Sequence, residues 1–184
     1  MERDPKDHKH ALLVKEYIAA MVKKGFSLVD TEVLHTYGKT RGYIDAVLVS
    51  RQRHSQTGKY TLIAAECKPR FFDIGNGVRE VKTAKLYFEQ SAPTSKLLGN
   101  TTEYSIAYPM IVQATEENML MYLKNINYFQ SIALVFFDKD PKVCVEFRNS
   151  LNETYVKQNN RDVQKYFRET FFRSVTPVKL FKRP

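Results

Sequence analysis

The chain has 184 residues, 43% of them hydrophobic, which is enough for one domain with a buried core and too short for a second full domain. Its 29 Lys and Arg against 20 Asp and Glu give a formal net charge of +9, so a polyanionic partner is expected. No apolar run approaches the roughly 18 residues of a membrane span and no signal pattern opens the chain. Cys67 and Cys144 lack CxxC spacing, which argues against a zinc site or a disulfide framework. A soluble protein of the reducing cytoplasm is expected.

The elements alternate along the chain, without repeats or Gly/Pro/Ser-rich linkers. From His8 to Lys24, the apolar residues Val14, Tyr17, Ile18, Met21 and Val22 follow the helical period, and Gly25 is placed to end the helix. Phe26 to His35 and Tyr43 to Val49 follow as strands, separated by a turn over Tyr37 to Gly42, and the second carries an embedded acid, Asp45. The polar stretch Arg51 to Lys59 predicts a hairpin connection into the strand Tyr60 to Cys67. Pro69 stops that strand, and Gly75-Asn-Gly77 predicts a flexible rim loop before a helix over Val78 to Gln90. After a loop come a strand over Tyr104 to Val112, a helix over Glu116 to Ile126, and strands over Ile132 to Phe137 and Val143 to Phe147.

The order is αβββαβ followed by αββ, an α/β arrangement with a mixed central sheet flanked by helices. One domain over residues 1–184 is expected, with a core at about 8–147 and a basic helical extension at about 157–184. That extension holds eight basic residues against Asp162 and Glu169, and Arg161, Lys165 and Arg168 share one helix face. A phosphate-tracking surface and an ordinary solvated helix face both account for it.

Chemistry concentrates at the end of Tyr60-Thr-Leu-Ile-Ala-Ala-Glu-Cys-Lys68. Residues two apart on a strand share a face, so Glu66 and Lys68 project together while Cys67 points away with Ala65 and Ile63. The triplet alone is common: the same spacing recurs at Asp4/Lys6, Asp7/Lys9, Glu80/Lys82 and Asp140/Lys142. Only Glu66, however, ends a buried-type strand and follows a second apolar strand bearing an acid. Asp45, Glu66 and the backbone carbonyl of Cys67 could together hold one or two Mg²⁺, with Mn²⁺ able to substitute, and Lys68 would offset charge on a phosphodiester transition state. An ion-pair cluster at a strand end is the bland alternative.

These residues resemble the PD-(D/E)XK nuclease superfamily, the restriction-endonuclease-like fold, whose helix, three strands, helix and strand match Ala11 to Val112. The resemblance rests on Asp45, Glu66 and Lys68, and extends to Glu32, to the basic turn Gly38-Lys-Thr-Arg-Gly-Tyr-Ile-Asp45 and to Glu66-Cys-Lys-Pro69. Ile44 stands where many members have proline, and Glu80 is the nearest equivalent of a glutamine that some relatives carry early in the second helix. A further acid is implied, from the first strand (Glu32, slightly preferred) or from the first helix (Glu16). The resemblance implies Mg²⁺-dependent cleavage of branched or duplex DNA by an endonuclease. Size and charge are similar to archaeal Holliday-junction resolvases and nucleases of crenarchaeal viruses, which implies a homodimer and, if viral, a host-cytoplasmic setting.

Arg41, Arg51, Arg53, Arg70, Arg79 and Lys82 join Arg161, Lys165 and Arg168 as candidate nucleic-acid contacts. His8, His10, His35 and His54 show no ligand spacing, and only His35 stands close in sequence to a candidate acid. No membrane partner or small-molecule cofactor is expected. The competing functions are a non-catalytic nucleic-acid-binding module on the same fold and, more weakly, a protein-interaction subunit with a basic tail.

Overall fold

The structure, a computed structural model, describes residues 5–71, 74–90, 103–129, 132–138 and 145–147. The basic extension at 157–184, with Arg161, Lys165 and Arg168, lies outside the described residues.

Helix α1 (Pro5–Lys23) leads into β1 (Phe26–Tyr37), β2 (Thr40–Ser50) and β3 (Tyr60–Lys68). Helix α2 (Ile74–Glu89) follows, then β4 (Tyr104–Ala107) and β5 (Pro109–Gln113). Helix α3 (Glu116–Lys124), a 3-10 turn (Ile126–Phe129), β6 (Ala133–Phe137) and β7 (Val145–Phe147) complete the described elements. The strands form one mixed sheet in the order β1-β2-β3-β5-β6-β7, with β4 also on β3. The β1-β2, β2-β3 and β6-β7 pairs are antiparallel, while β3-β4, β3-β5 and β5-β6 are parallel.

Two apolar layers cover the sheet. On one face Leu13, Tyr17 and Met21 of α1 pack on Ala46, Leu48, Ile63, Ala65, Cys67, Ile111 and Phe137. On the other, Val78, Val81, Ala84 and Phe88 of α2 pack on Ile44, Val47, Leu62, Ala64, Met110 and Val112, beside Met119 and Tyr122 of α3. Strand β3, covered on both sides, is apolar through Ala65 as the interior of such a sheet requires. The expected α/β architecture is therefore observed.

Three expectations are corrected in detail. The β1–β2 turn is shorter than Tyr37 to Gly42, because Tyr37 already pairs with Thr40. The strand expected over Tyr104 to Val112 is two strands, interrupted at Tyr108. Gly75-Asn-Gly77 is not a rim loop but the first turns of α2. There Gly77 is buried, and a Cβ on it would stand 3.1 Å from the Met110 methyl and 3.9 Å from the Lys68 side chain. The missing side chain lets α2 settle directly onto β5 and the end of β3.

Candidate active site

The β2–β3 ladder pairs Val49 with Leu62, Leu48 with Ile63, Val47 with Ala64 and Ala46 with Ala65. One position further, where the ladder gives out, stand Asp45 and Glu66. Regular alternation fails at that point on β2. Ile44 and Val47, three residues apart, lie in the α2-side layer, while Ala46 and Leu48 between and beyond them lie in the α1-side layer. On β1 the matching irregularity is Glu32, at φ 52° between the paired residues Thr31 and Val33. The slip sets Asp45 at the join of the two layers, within reach of elements from both.

Both layers do reach in. From α1, His10 Nε2 stands 3.1 Å from Asp45 Oδ1. The other carboxylate oxygen, Oδ2, accepts the Cys67 backbone N–H at 2.6 Å, which ties β2 to β3 just past the last pair of their ladder. From β3, Lys68 Nζ is 2.7 Å from Glu66 Oε1, and from α2, Glu80 Oε2 is 2.6 Å from the same ammonium. One cluster thus joins four elements: His10 of α1, Asp45 of β2, Glu66 and Lys68 of β3, and Glu80 of α2.

Burial makes this cluster electrostatically unusual. Glu66 is 4% exposed and its Oε2 has no hydrogen-bond partner. That burial, with the nearby Asp45 charge, pushes its pKa up to about 8 against the pull of Lys68. Burial opposes the Lys68 charge, but Glu66 and Glu80 outweigh it and hold the amine above its ordinary range, so it is an ammonium at neutral pH. The hydrogen bond to Asp45 raises the His10 pKa against its partial burial.

The orphaned Glu66 oxygen beside a second carboxylate is the feature that fits a cation. Asp45, Glu66 and the Cys67 carbonyl are the groups that would hold it. Among the described residues no three His, Cys, Asp or Glu side chains converge as a ready-made ligand set. Two carboxylates nevertheless suit Mg²⁺, which keeps several waters and rarely takes an all-protein shell.

The other expected site residues fall elsewhere. Glu32 is exposed and takes part in no ion pair of the cluster. Glu16 is half-buried on α1, off the Leu13–Tyr17–Met21 stripe that faces the sheet. His10 continues that stripe by i−3 from Leu13 and i−7 from Tyr17, a spacing visible in the sequence that its dismissal as an isolated histidine overlooked. Glu80 carries a charge where the superfamily resemblance suggested an amide, and it uses that charge on Lys68.

The expected basic contacts divide by position. Arg41 lies on β2 four residues before Asp45, Arg70 two residues after Lys68 and Arg79 next to Glu80, and Arg70 lies 4.0 Å from Glu117 while Arg79 bonds Asn76. Arg51 and Arg53 sit in the β2–β3 connection at the opposite end of β3. Arg53 pairs with Glu103 at 3.1 Å and stacks over Tyr60, 4.7 Å from its ring centre.

Asn118, which carried no sequence signal, supports the site from α3. It is 1% exposed, its amide donates to the carbonyls of Pro69 (2.8 Å) and Gln113 (2.9 Å), and its carbonyl accepts the Phe71 N–H at 3.2 Å. The chain leaving Lys68 is pinned by that single amide.

No protein-family model matches the chain, and no match among curated proteins is found. Two solved structures are similar at low identity. One is an FdxN element excision controlling factor protein from Anabaena variabilis, 14% identical with a TM-score of 0.36 over 75% of this chain and 96% of that one. The other is an XisH family protein from Nostoc punctiforme, 12% identical with a TM-score of 0.34 over 74% of this chain and 96% of that one.

Proposed function

We propose that the chain is a Mg²⁺-dependent deoxyribonuclease of the PD-(D/E)XK type, cutting branched or duplex DNA internally. The observation that carries this reading is the end of the β2–β3 ladder where Asp45 and Glu66 meet, with one buried Glu66 oxygen unpartnered and the Lys68 ammonium alongside. A phosphodiester resists attack because it is anionic, and a bound divalent cation would offset that charge and make a water more acidic.

The protein groups have separable tasks. Glu66 and Asp45 would bind the cation, and the Cys67 N–H holds Asp45 in place for it. Lys68, fixed between Glu66 and Glu80, presents a positive charge for the pentavalent transition state rather than serving as a base. A cation held by Asp45 would share that carboxylate with His10 and the Cys67 N–H, which already occupy its two oxygens. A homodimer would supply two such sites for two strands.

The test is cleavage of labelled linear, circular, flapped and four-way-junction DNA with Mg²⁺ or Mn²⁺, for wild type, Asp45→Asn and Glu66→Gln. Loss of at least about a hundredfold in both variants, with folding intact by circular dichroism, is expected. Cleavage surviving both substitutions would sink the assignment.

A second reading, a nucleic-acid-binding module without turnover, has one observation in its favour. Lys68 is already neutralised by two carboxylates, as in a closed structural ion cluster. Salt-sensitive DNA binding without cleavage under any divalent cation would select it.

A further inference from the structure

Away from the acids, at the opposite end of β3, the fold leaves a cavity of about 750 Å³. Its origin is topological. β4 lies against β3 along one edge and, among the described residues, pairs with nothing on the other, because β6 begins level with Pro109. Among the described residues no strand lies on the far side of β4, and groups from both helical layers, Met21 of α1 and Val81 of α2, line one space.

The lining is chemically divided. Its interior is apolar, from Met21, Ile63, Val81 and Ile106, whereas its exposed residues include Lys24, His54, Lys82 and Lys85 against one acid, Glu89. Lys85 lies 3.7 Å from Glu89, and Lys82 has no ion pair among the described residues. Tyr108, at the break between β4 and β5, also lines the cavity. It is 9% exposed and its hydroxyl has no hydrogen-bond partner. Burial raises the phenol pKa, so the group stays an O–H donor. A buried donor without an acceptor is rare in a folded protein, and this hydroxyl is closed off from the cavity that the rest of Tyr108 lines.

We propose that this cavity binds a small organic phosphate with a flat apolar body, of the size and chemistry of a mononucleotide. The body would lie among Met21, Ile63, Val81 and Ile106, and the phosphate would meet Lys82 and Lys85 at the mouth. The volume falls within the range of small-molecule sites and far exceeds that of a phosphate ion. None of His10, Asp45, Glu66, Lys68 and Glu80 lines the cavity, although Val81 and Lys82 follow Glu80 directly and Pro109 precedes the Met110 that pairs with Glu66. Its occupancy therefore does not depend on the nuclease reading.

The test is isothermal titration of the full chain with AMP, adenosine and inorganic phosphate in EDTA, which prevents binding through a cation at Asp45 and Glu66. Saturable AMP binding at one site, at least tenfold tighter than either fragment, is expected. Lys82→Glu with Lys85→Ala, both at exposed positions, should weaken it about tenfold or more without loss of thermal stability. Absence of AMP binding, or AMP binding unchanged in the lysine variant, overturns the proposal. Phosphate binding as tightly as AMP overturns it in favour of a surface anion patch, and adenosine binding as tightly as AMP overturns the role of the lysines.

Discussion

Lys68 and Glu80 form a pair whose members should respond differently to substitution. Lys68→Met removes the ammonium and is expected to lower DNA cleavage at least a hundredfold. Glu80→Gln, which leaves Glu66 as the partner of Lys68, should stay within about tenfold of wild type; equal losses in single-turnover assays would mean that Glu80 is as necessary as the lysine. His35 offers a separate residue-scale test. Its imidazole is 1% exposed, both ring nitrogens lack hydrogen-bond partners, and a Cβ on Gly42 would stand 2.8 Å from the ring. Gly42→Ala should destabilise by about 1–3 kcal/mol in urea denaturation, with His35→Ala recovering part of that cost in the double variant. Burial lowers the His35 pKa from its ordinary 6.5, so the unfolded chain takes up a proton that the folded one refuses as pH falls below that value. Its contribution is complete above about pH 6.5 and declines toward the lower folded value, by at most ~1.4 kcal/mol per pH unit. In His35→Leu, the fall in stability between pH 7 and 5 should be shallower than in wild type.

At the scale of elements, the site depends on how β3 ends. The strand stops at Lys68, and the chain beyond it is secured by Asn118 of α3 through two hydrogen bonds, at Pro69 and Phe71, while a third ties the same amide to Gln113 of β5. Asn118→Ala would leave the Pro69 and Gln113 carbonyls and the Phe71 N–H without that partner. A loss of about 2–4 kcal/mol is expected in thermal or chemical denaturation. Cleavage should fall as well, because Lys68 and α2 are joined by that segment. Asn118→Asp keeps the acceptor for the Phe71 N–H and loses both donors, so it should cost nearly as much as alanine. Helix α3 itself begins at Thr115, whose hydroxyl accepts the Asn118 N–H at 3.3 Å, which sets the position of the amide that does the pinning.

At the scale of the whole molecule, the extension at 157–184, outside the described residues, carries eight basic residues against two acids, and among the described residues the candidate basic contacts divide between two regions. Arg41, Arg70 and Arg79 lie on the acid side of the sheet, while Arg51 and Arg53 lie at the other end of β3, where Arg53 is already held by Glu103 and Tyr60. If DNA enters over the acids, Arg70→Glu should weaken duplex binding several-fold more than Arg53→Glu in fluorescence anisotropy at fixed salt. Affinity for both should fall steeply as salt rises. Equal effects would place the duplex elsewhere on the surface.

Sequence alone determined the element order, because hydrophobic periods of two and 3.6 are local properties. It also isolated Glu66 and Lys68, because an acid and a base closing a doubly buried strand are conspicuous against its apolar run. Asp45 was visible for the same reason. Tertiary structure decided what those residues touch. The slip in alternation at Asp45 depends on the β1 partner and has no local signature. His10 and Glu80 come from helices on opposite faces of the sheet, 35 residues before Asp45 and 12 after Lys68. That no described strand pairs with the far edge of β4 follows from where β6 begins, a matter of strand register that neither strand specifies by itself. Pattern follows from neighbours in the chain, whereas the site and the cavity follow from neighbours in space.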